Sequence, residues 1–324
     1  MLFEANPARV GLTGGLTAID AIEARAAQDP ARTALICPDE HAELTYADLA
    51  TRAKAAASVF SNAGMERAKK LAVMMASGAR YATCLFGAWR LGAVVVPVDP
   101  MLKGPDARDL INAAKPVALA IDDRRLLELC GLLDECRSLK AVFTAGTASD
   151  DRRFHDFDAA MASSQIAADH RGSAEPSDIA IEGYRFHTDD LKVVPRTHEA
   201  LTRDAATLTQ RLSLTHEDRG ICAIPLSHSD GLTSLVAAVT SGSRLVIPER
   251  FDARHFWELV AAQRATWLAL VPTQFLDLQF AGPPAHCVLG QLRAVMIAGK
   301  AVMSKAQQQF AEKFGVRVVT ETPV

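Results

Sequence analysis

Residues 178–201 read DIAIEGYRFHTDDLKVVPRTHEAL. The apolar run Ile179 to Ile181 predicts a buried strand, and Thr197-His198 predicts the start of a helix running on through Leu201. Between them lies a predicted loop holding one lysine, Lys192. Strand, lysine-bearing loop and helix start form the arrangement of a phosphate cradle, where main-chain N–H groups and a positive helix end meet an anion. Yet no glycine occurs between Tyr184 and Val194. Without glycine the backbone cannot close round a phosphate.

Upstream, the pattern is that of a covered parallel sheet. Strands are predicted at Leu71 to Ala76, Ala93 to Val98, Val117 to Ile121 and Lys140 to Thr144, alternating with helices at Tyr81 to Leu91, Pro105 to Ala114 and Arg124 to Cys136. A helix at Leu16 to Ala27 and short strands at Ala34 to Cys37 and Glu43 to Thr45 precede them. Thr45 caps the next helix with Asp48 as its capping-box partner, and Gly64 supplies the residue beyond its end. From Ala145 to Ser177 the sequence turns polar, apart from a helix predicted within Phe154 to Ala168.

Downstream, strands at Ile221 to Leu226, Arg244 to Pro248, Trp267 to Val271, Ala294 to Ala298 and Val316 to Val319 alternate with five more helices. Strands apolar throughout, separated by helices, imply sheets covered on both faces. The expected fold is α/β, with two lobes of mostly parallel sheet flanked by helices. Residues 1–177 form a first lobe with linker, and residues 178–324 a second lobe carrying the altered phosphate loop.

Composition narrows the functional classes. A 324-residue chain that is 49% hydrophobic buries a large core. Its net charge is −3, with Lys and Arg scattered, so it carries no electrostatic footprint for nucleic acid. The N-terminus has an early acid, Glu4, and no apolar core of signal-peptide length. The longest apolar region, Cys84 to Val98, is interrupted by Arg90 and is short for a membrane span. Six cysteines show no Cys-x-x-Cys spacing. These features predict a cytoplasmic protein without disulfides, membrane span or nucleic-acid partner. No His/Cys cluster suggests a metal, and no Gly-x-Ser-x-Gly nucleophile elbow is present.

Three segments carry a resemblance. They are LTYADL at 44–49, GAWRLGAVVVPVDP at 87–100, and IPLSHSDGL at 224–232, the last followed by Ser241-Gly242-Ser243, Ala265-Thr266-Trp267 and Val271-Pro272-Thr273. In this order they resemble the adenylate-forming superfamily: acyl- and aryl-CoA synthetases, firefly luciferase and peptide-synthetase adenylation domains. The third is similar to the oxalyl-CoA and acyl-CoA synthetase branch. The resemblance covers nearly the whole chain and implies the large N-terminal domain of such an enzyme.

It also implies ATP and Mg²⁺ as cofactors and a carboxylic acid or acyl group as ligand. Thr188 and Lys192 fall where the family has a threonine and its catalytic lysine, whereas Phe186, Asp189 and Val193 replace glycines and Arg185 a serine. Asp189 and Asp190 add negative charge beside a polyanion. At ~6 Å and an effective dielectric of ~20 each pair costs about 2–3 kcal/mol, which argues against nucleotide binding. The run TAGTAS at 144–149 looks superficially like such a loop but leads into no Thr-His helix.

The adenine segment corresponds to Gly299, Lys300 and Ala301, and Glu321 to the glutamate of a Tyr-Gly-x-Thr-Glu motif. His228, Gly231 and Trp267 are the residues expected at the acyl pocket. The sequence ends at Val324, before the family's small C-terminal domain, so that domain is expected to be absent. Two readings follow: a ligase whose catalysis is lost or depends on a partner protein supplying the missing half, or a non-catalytic acyl-binding relative that docks on an active synthetase.

Overall fold

The computed structural model describes residues 15–145, 151–164, 174–187, 190–299 and 302–320. In chain order the strands are β1 (Thr33–Cys37), β2 (Ala42–Thr45), β3 (Lys70–Met74), β4 (Val94–Pro97), β5 (Ala118–Ile121), β6 (Ala141–Thr144), β7 (Phe154–Asp156), β8 (Ile179–His187), β9 (Asp190–Thr197), β10 (Arg219–Cys222), β11 (Arg244–Val246), β12 (Trp267–Leu270), β13 (Ala294–Ile297) and β14 (Arg317–Thr320). They form two sheets, in the orders β7-β6-β5-β3-β4-β8-β9 and β14-β13-β12-β10-β11-β1-β2. All pairings are parallel except β1 with β2 and β8 with β9.

The helices are α1 (Ala18–Gln28), α2 (Tyr46–Asn62), α3 (Ala79–Arg90), α4 (Gly104–Ala114), α5 (Asp123–Leu133), α6 (Phe157–Ser163), α7 (His198–Leu212), α8 (Ser229–Ser241), α9 (Ala253–Ala262), α10 (Pro272–Ala281) and α11 (Ser304–Phe314). Among the described residues no helix is long and apolar enough to cross a membrane.

Strand alternation explains the layering. Leu71 and Val73 of β3 point into a core shared with α2, α3, α7 and α8, while Ala72 and Met74 point outward onto α4 and α5. In the other sheet Trp267 and Ala269 of β12 enter the shared core, and Leu268 and Leu270 meet α9, α10 and α11. Strands buried on both faces must be apolar at every position, which is why they read as continuous runs.

Helix α3 lies in the middle layer, with every residue from Tyr81 to Arg90 buried. Its contact with α2 is so close that a Cβ on Gly87 would stand 2.4 Å from Ala56 Cβ. The predicted capping box is present: Thr45 Oγ1 accepts from Asp48 N at 3.1 Å, and the Asp48 carboxylate accepts from Thr45 N at 2.9 Å. Gly64 follows that helix at φ +83.

Two expectations are corrected. The strands do not divide at residue 178: β1 and β2 join the sheet of the C-terminal strands, while β8 and β9 complete the sheet of the N-terminal ones. Of the segment read as a loop over 184–194, the described residues 184–187 and 190–194 are instead the two arms of an antiparallel hairpin, with Gly183 opposite Val194, Arg185 opposite Lys192 and His187 opposite Asp190.

Candidate functional site

The carboxyl ends of strands from both sheets open on one crevice. Its walls include Met75 to Ser77 after β3, Asp99 and Pro100 after β4, Asp122 after β5, Pro225 and Ser227 after β10, and Pro248 and Glu249 after β11. Crevices outside the carboxyl ends of parallel strands are where open α/β sheets hold ligands. A hydrogen bond from Leu226 N to Ser77 Oγ, 2.8 Å, ties the two sheets together across it.

Two hollows lie side by side there, of about 490 and 360 Å³, sharing Asp99 and Ser227. Beside the larger one, acids are held by main-chain donors. The Asp122 carboxylate accepts from Ala76 N at 2.7 Å, and Glu40 accepts from Ala79 N and Arg80 N at 3.0 and 3.3 Å, at the N-terminus of α3. Burial is the main cause that raises both carboxyls above their usual range, with Arg80 pulling the other way. Glu40 belongs to the β1–β2 turn, so this contact also joins one sheet to the other.

The smaller hollow is walled on one side by the hairpin, through Ile181 and Gly183 of β8 and Val194 and Arg196 of β9. These four lie two by two opposite one another, so they share one face of the hairpin. Leu102, Leu110 and Leu232 add apolar wall, and Ser227, His228 and Ser229 add a polar rim.

Tyr184 of β8 also lines this hollow, and it anchors the hairpin. The Tyr184 hydroxyl donates to Glu182, which accepts from Lys70 Nζ at 2.5 Å, and Lys70 also donates to Ala114 O at the end of α4 at 3.1 Å. Burial and the Glu182 carboxylate raise the Tyr184 phenol above its ordinary value, so its proton stays in place. Arg196 pairs with Asp204 of α7.

The sequence-predicted residues scatter relative to this crevice. His228 is exposed on the rim of the smaller hollow and precedes α8, its backbone N–H donating to Pro225 O at 2.9 Å. Gly231 is buried one turn on, where a Cβ would stand 2.2 Å from Pro225 O. It shapes the rim by close packing and is not one of the hollow's wall residues.

Trp267, expected at the acyl pocket, is fully buried in the shared core with its ring over Gly220 of β10, because its position on β12 faces inward. Lys192 is exposed on the edge strand β9 and borders neither hollow. Gly299 follows β13 with φ +71 and is exposed. Thr188, Lys300, Ala301 and Glu321 lie outside the described residues.

Sequence reading missed Gly183, Val194 and Arg196 as wall residues. The signal was the alternation across 181, 183, 194 and 196, which shows only once the hairpin register is known.

The hairpin also bears on a triphosphate. An anion nest needs consecutive N–H groups converging on one point, whereas in a strand successive N–H groups point to opposite edges. The described backbone over 184–187 and 190–194 is strand, so it does not fit that task.

Two mostly parallel sheets in helical layers, with a crevice at the carboxyl ends of both, are the architecture of the N-terminal domain of adenylate-forming enzymes. The family described as AMP-binding enzyme matches residues 22–322, and the chain belongs to it. It is 27% identical to a sulfoacetate–CoA ligase of Cupriavidus necator over 92% of this chain and 57% of that one. Against the acyl-CoA ligase sidI of Beauveria bassiana the figures are 26%, 98% and 56%. The chain thus spans a little over half the length of these relatives.

Among solved structures, it superposes on a long-chain-fatty-acid-CoA ligase from Archaeoglobus fulgidus with a TM-score of 0.84 at 19% identity, covering 94% of this chain and 63% of that one. On the N-terminal domain of FACL13 from Mycobacterium tuberculosis the TM-score is 0.83 at 19% identity, covering 95% and 76%.

Proposed function

We propose that this acyl-CoA-ligase-like chain holds a carboxylic acid or acyl group in the crevice and does not by itself activate it with ATP. One observation supports the reading above the others: where relatives in this family are expected to wrap a triphosphate, the described residues 184–187 and 190–194 run as the two arms of an antiparallel hairpin. The hollow it walls is mostly apolar with a polar rim, the character of a site for an apolar body with one polar end. ATP and Mg²⁺ remain what the family implies, but strand backbone is a poor partner for a polyanion.

The test is acid-dependent exchange of pyrophosphate into ATP alongside direct acid binding. The chain alone is expected to bind an acid and show no exchange. Exchange by the chain alone would contradict the reading.

A further inference from the structure

A glycine inside a strand needs a reason, because it adds backbone entropy to the unfolded chain and contributes no side chain to packing. At Gly220 of β10 the fold supplies the reason, since a Cβ there would stand 2.3 Å from the Trp267 ring. At Gly231 a main-chain oxygen stands equally close.

Gly183, in the middle of β8, differs from both. Its φ lies outside the left-handed region, so no backbone conformation demands glycine. A Cβ there would meet nothing closer than Val194 O at 3.5 Å, an ordinary contact. What the bare position does face is the hollow of about 360 Å³, flanked by Ile181, Val194 and Arg196. A mid-strand glycine often marks a bulge, a bend or a close approach by a ligand or another backbone, and here the bare position opens on the hollow.

We propose that Gly183 is the specificity-determining residue of this hollow: the apolar body of the bound acid lies directly across β8 where the strand presents no side chain. This rests on the reading of the crevice as an acid or acyl site. It adds that the space available is set at residue 183, and that a side chain there would take the ligand's place while the hairpin stayed intact.

The experiment compares wild type, Gly183→Ala and Gly183→Val. Thermal melting and circular dichroism come first, and both variants are expected to melt at or above the wild-type temperature, since β-branched residues suit strands and a Cβ at 183 meets nothing closer than 3.5 Å. Calorimetric titration then uses straight-chain acids from butanoate to dodecanoate, with benzoate and phenylacetate. For the acid that wild type binds best, Gly183→Val is expected to lose about tenfold or more in affinity and to shift its preference to shorter acids, with Gly183→Ala between the two.

Unchanged affinity and chain-length preference in Gly183→Val would overturn the inference and leave the acid-site reading standing. Variants that melt well below wild type would show that the fold needs the glycine, which also overturns it. Wild type binding no acid in the panel would remove the acid-site reading and this inference together.

Discussion

His198 opens α7 with its ring 1% exposed, edge-on to Trp89 at 5.4 Å between centroids, and its Nε2 has no hydrogen-bond partner. Burial lowers this imidazole from 6.5 to about 4, against a weaker opposite pull from Asp178 and Asp20. Between those values the unfolded chain binds a proton that the folded chain refuses. The contribution to stability is therefore complete above about pH 6.5 and falls away as the pH drops toward 4. Urea unfolding should show a loss of about 2 kcal/mol from this group between pH 7 and 5, and His198→Phe should flatten that part of the profile. A wild-type profile unchanged by the substitution would refute the assignment. At the crevice rim, Gly231→Ala would drive a methyl into Pro225 O and should cost about 1–3 kcal/mol in the same assay, displacing the His228 turn.

Elements differ in how readily the sequence discloses them. The doubly buried strands β3, β4, β5, β12 and β13 read as unbroken apolar runs, and the capping box at Thr45 marked the start of α2. The hairpin did not disclose itself. Strand β9 holds Pro195, lies at a sheet edge and presents exposed Lys192 and Val193, so nothing in its composition signals burial. Resemblance to a lysine-bearing loop then drew the reading further from strand. Hydrogen exchange decides between them: paired amides in Ile181–Tyr184 and Val193–Arg196 should exchange slowly, whereas an open phosphate loop would exchange fast. The contact between α2 and α3 gives another test. Gly87→Ala should lower stability by about 1–3 kcal/mol, and Ala56→Gly in the same chain should restore part of it. Additive losses would show that the two positions do not meet.

At the scale of the whole molecule the two sheets are interleaved. β1 and β2 cross to the C-terminal sheet, β8 and β9 return to the N-terminal one, and α3 and α8 fill the core between them. Linear sequence could not show this exchange, because strand pairing between distant segments leaves no local periodicity. The same limit hid the site. His228, expected at the acyl pocket, stands on the rim of the smaller hollow, but the wall facing it is made by a hairpin face, and Trp267 lies in the core instead. The candidate crevice therefore lies at the carboxyl ends of both sheets, with extended backbone over the described residues 184–187 and 190–194, where the resemblance implies a converging cradle. Titrating the chain with millimolar ATP by calorimetry, with and without Mg²⁺, tests that contrast most directly. No saturable heat in either condition is the predicted result. Tight, Mg²⁺-dependent binding that Lys192→Ala abolishes would contradict it.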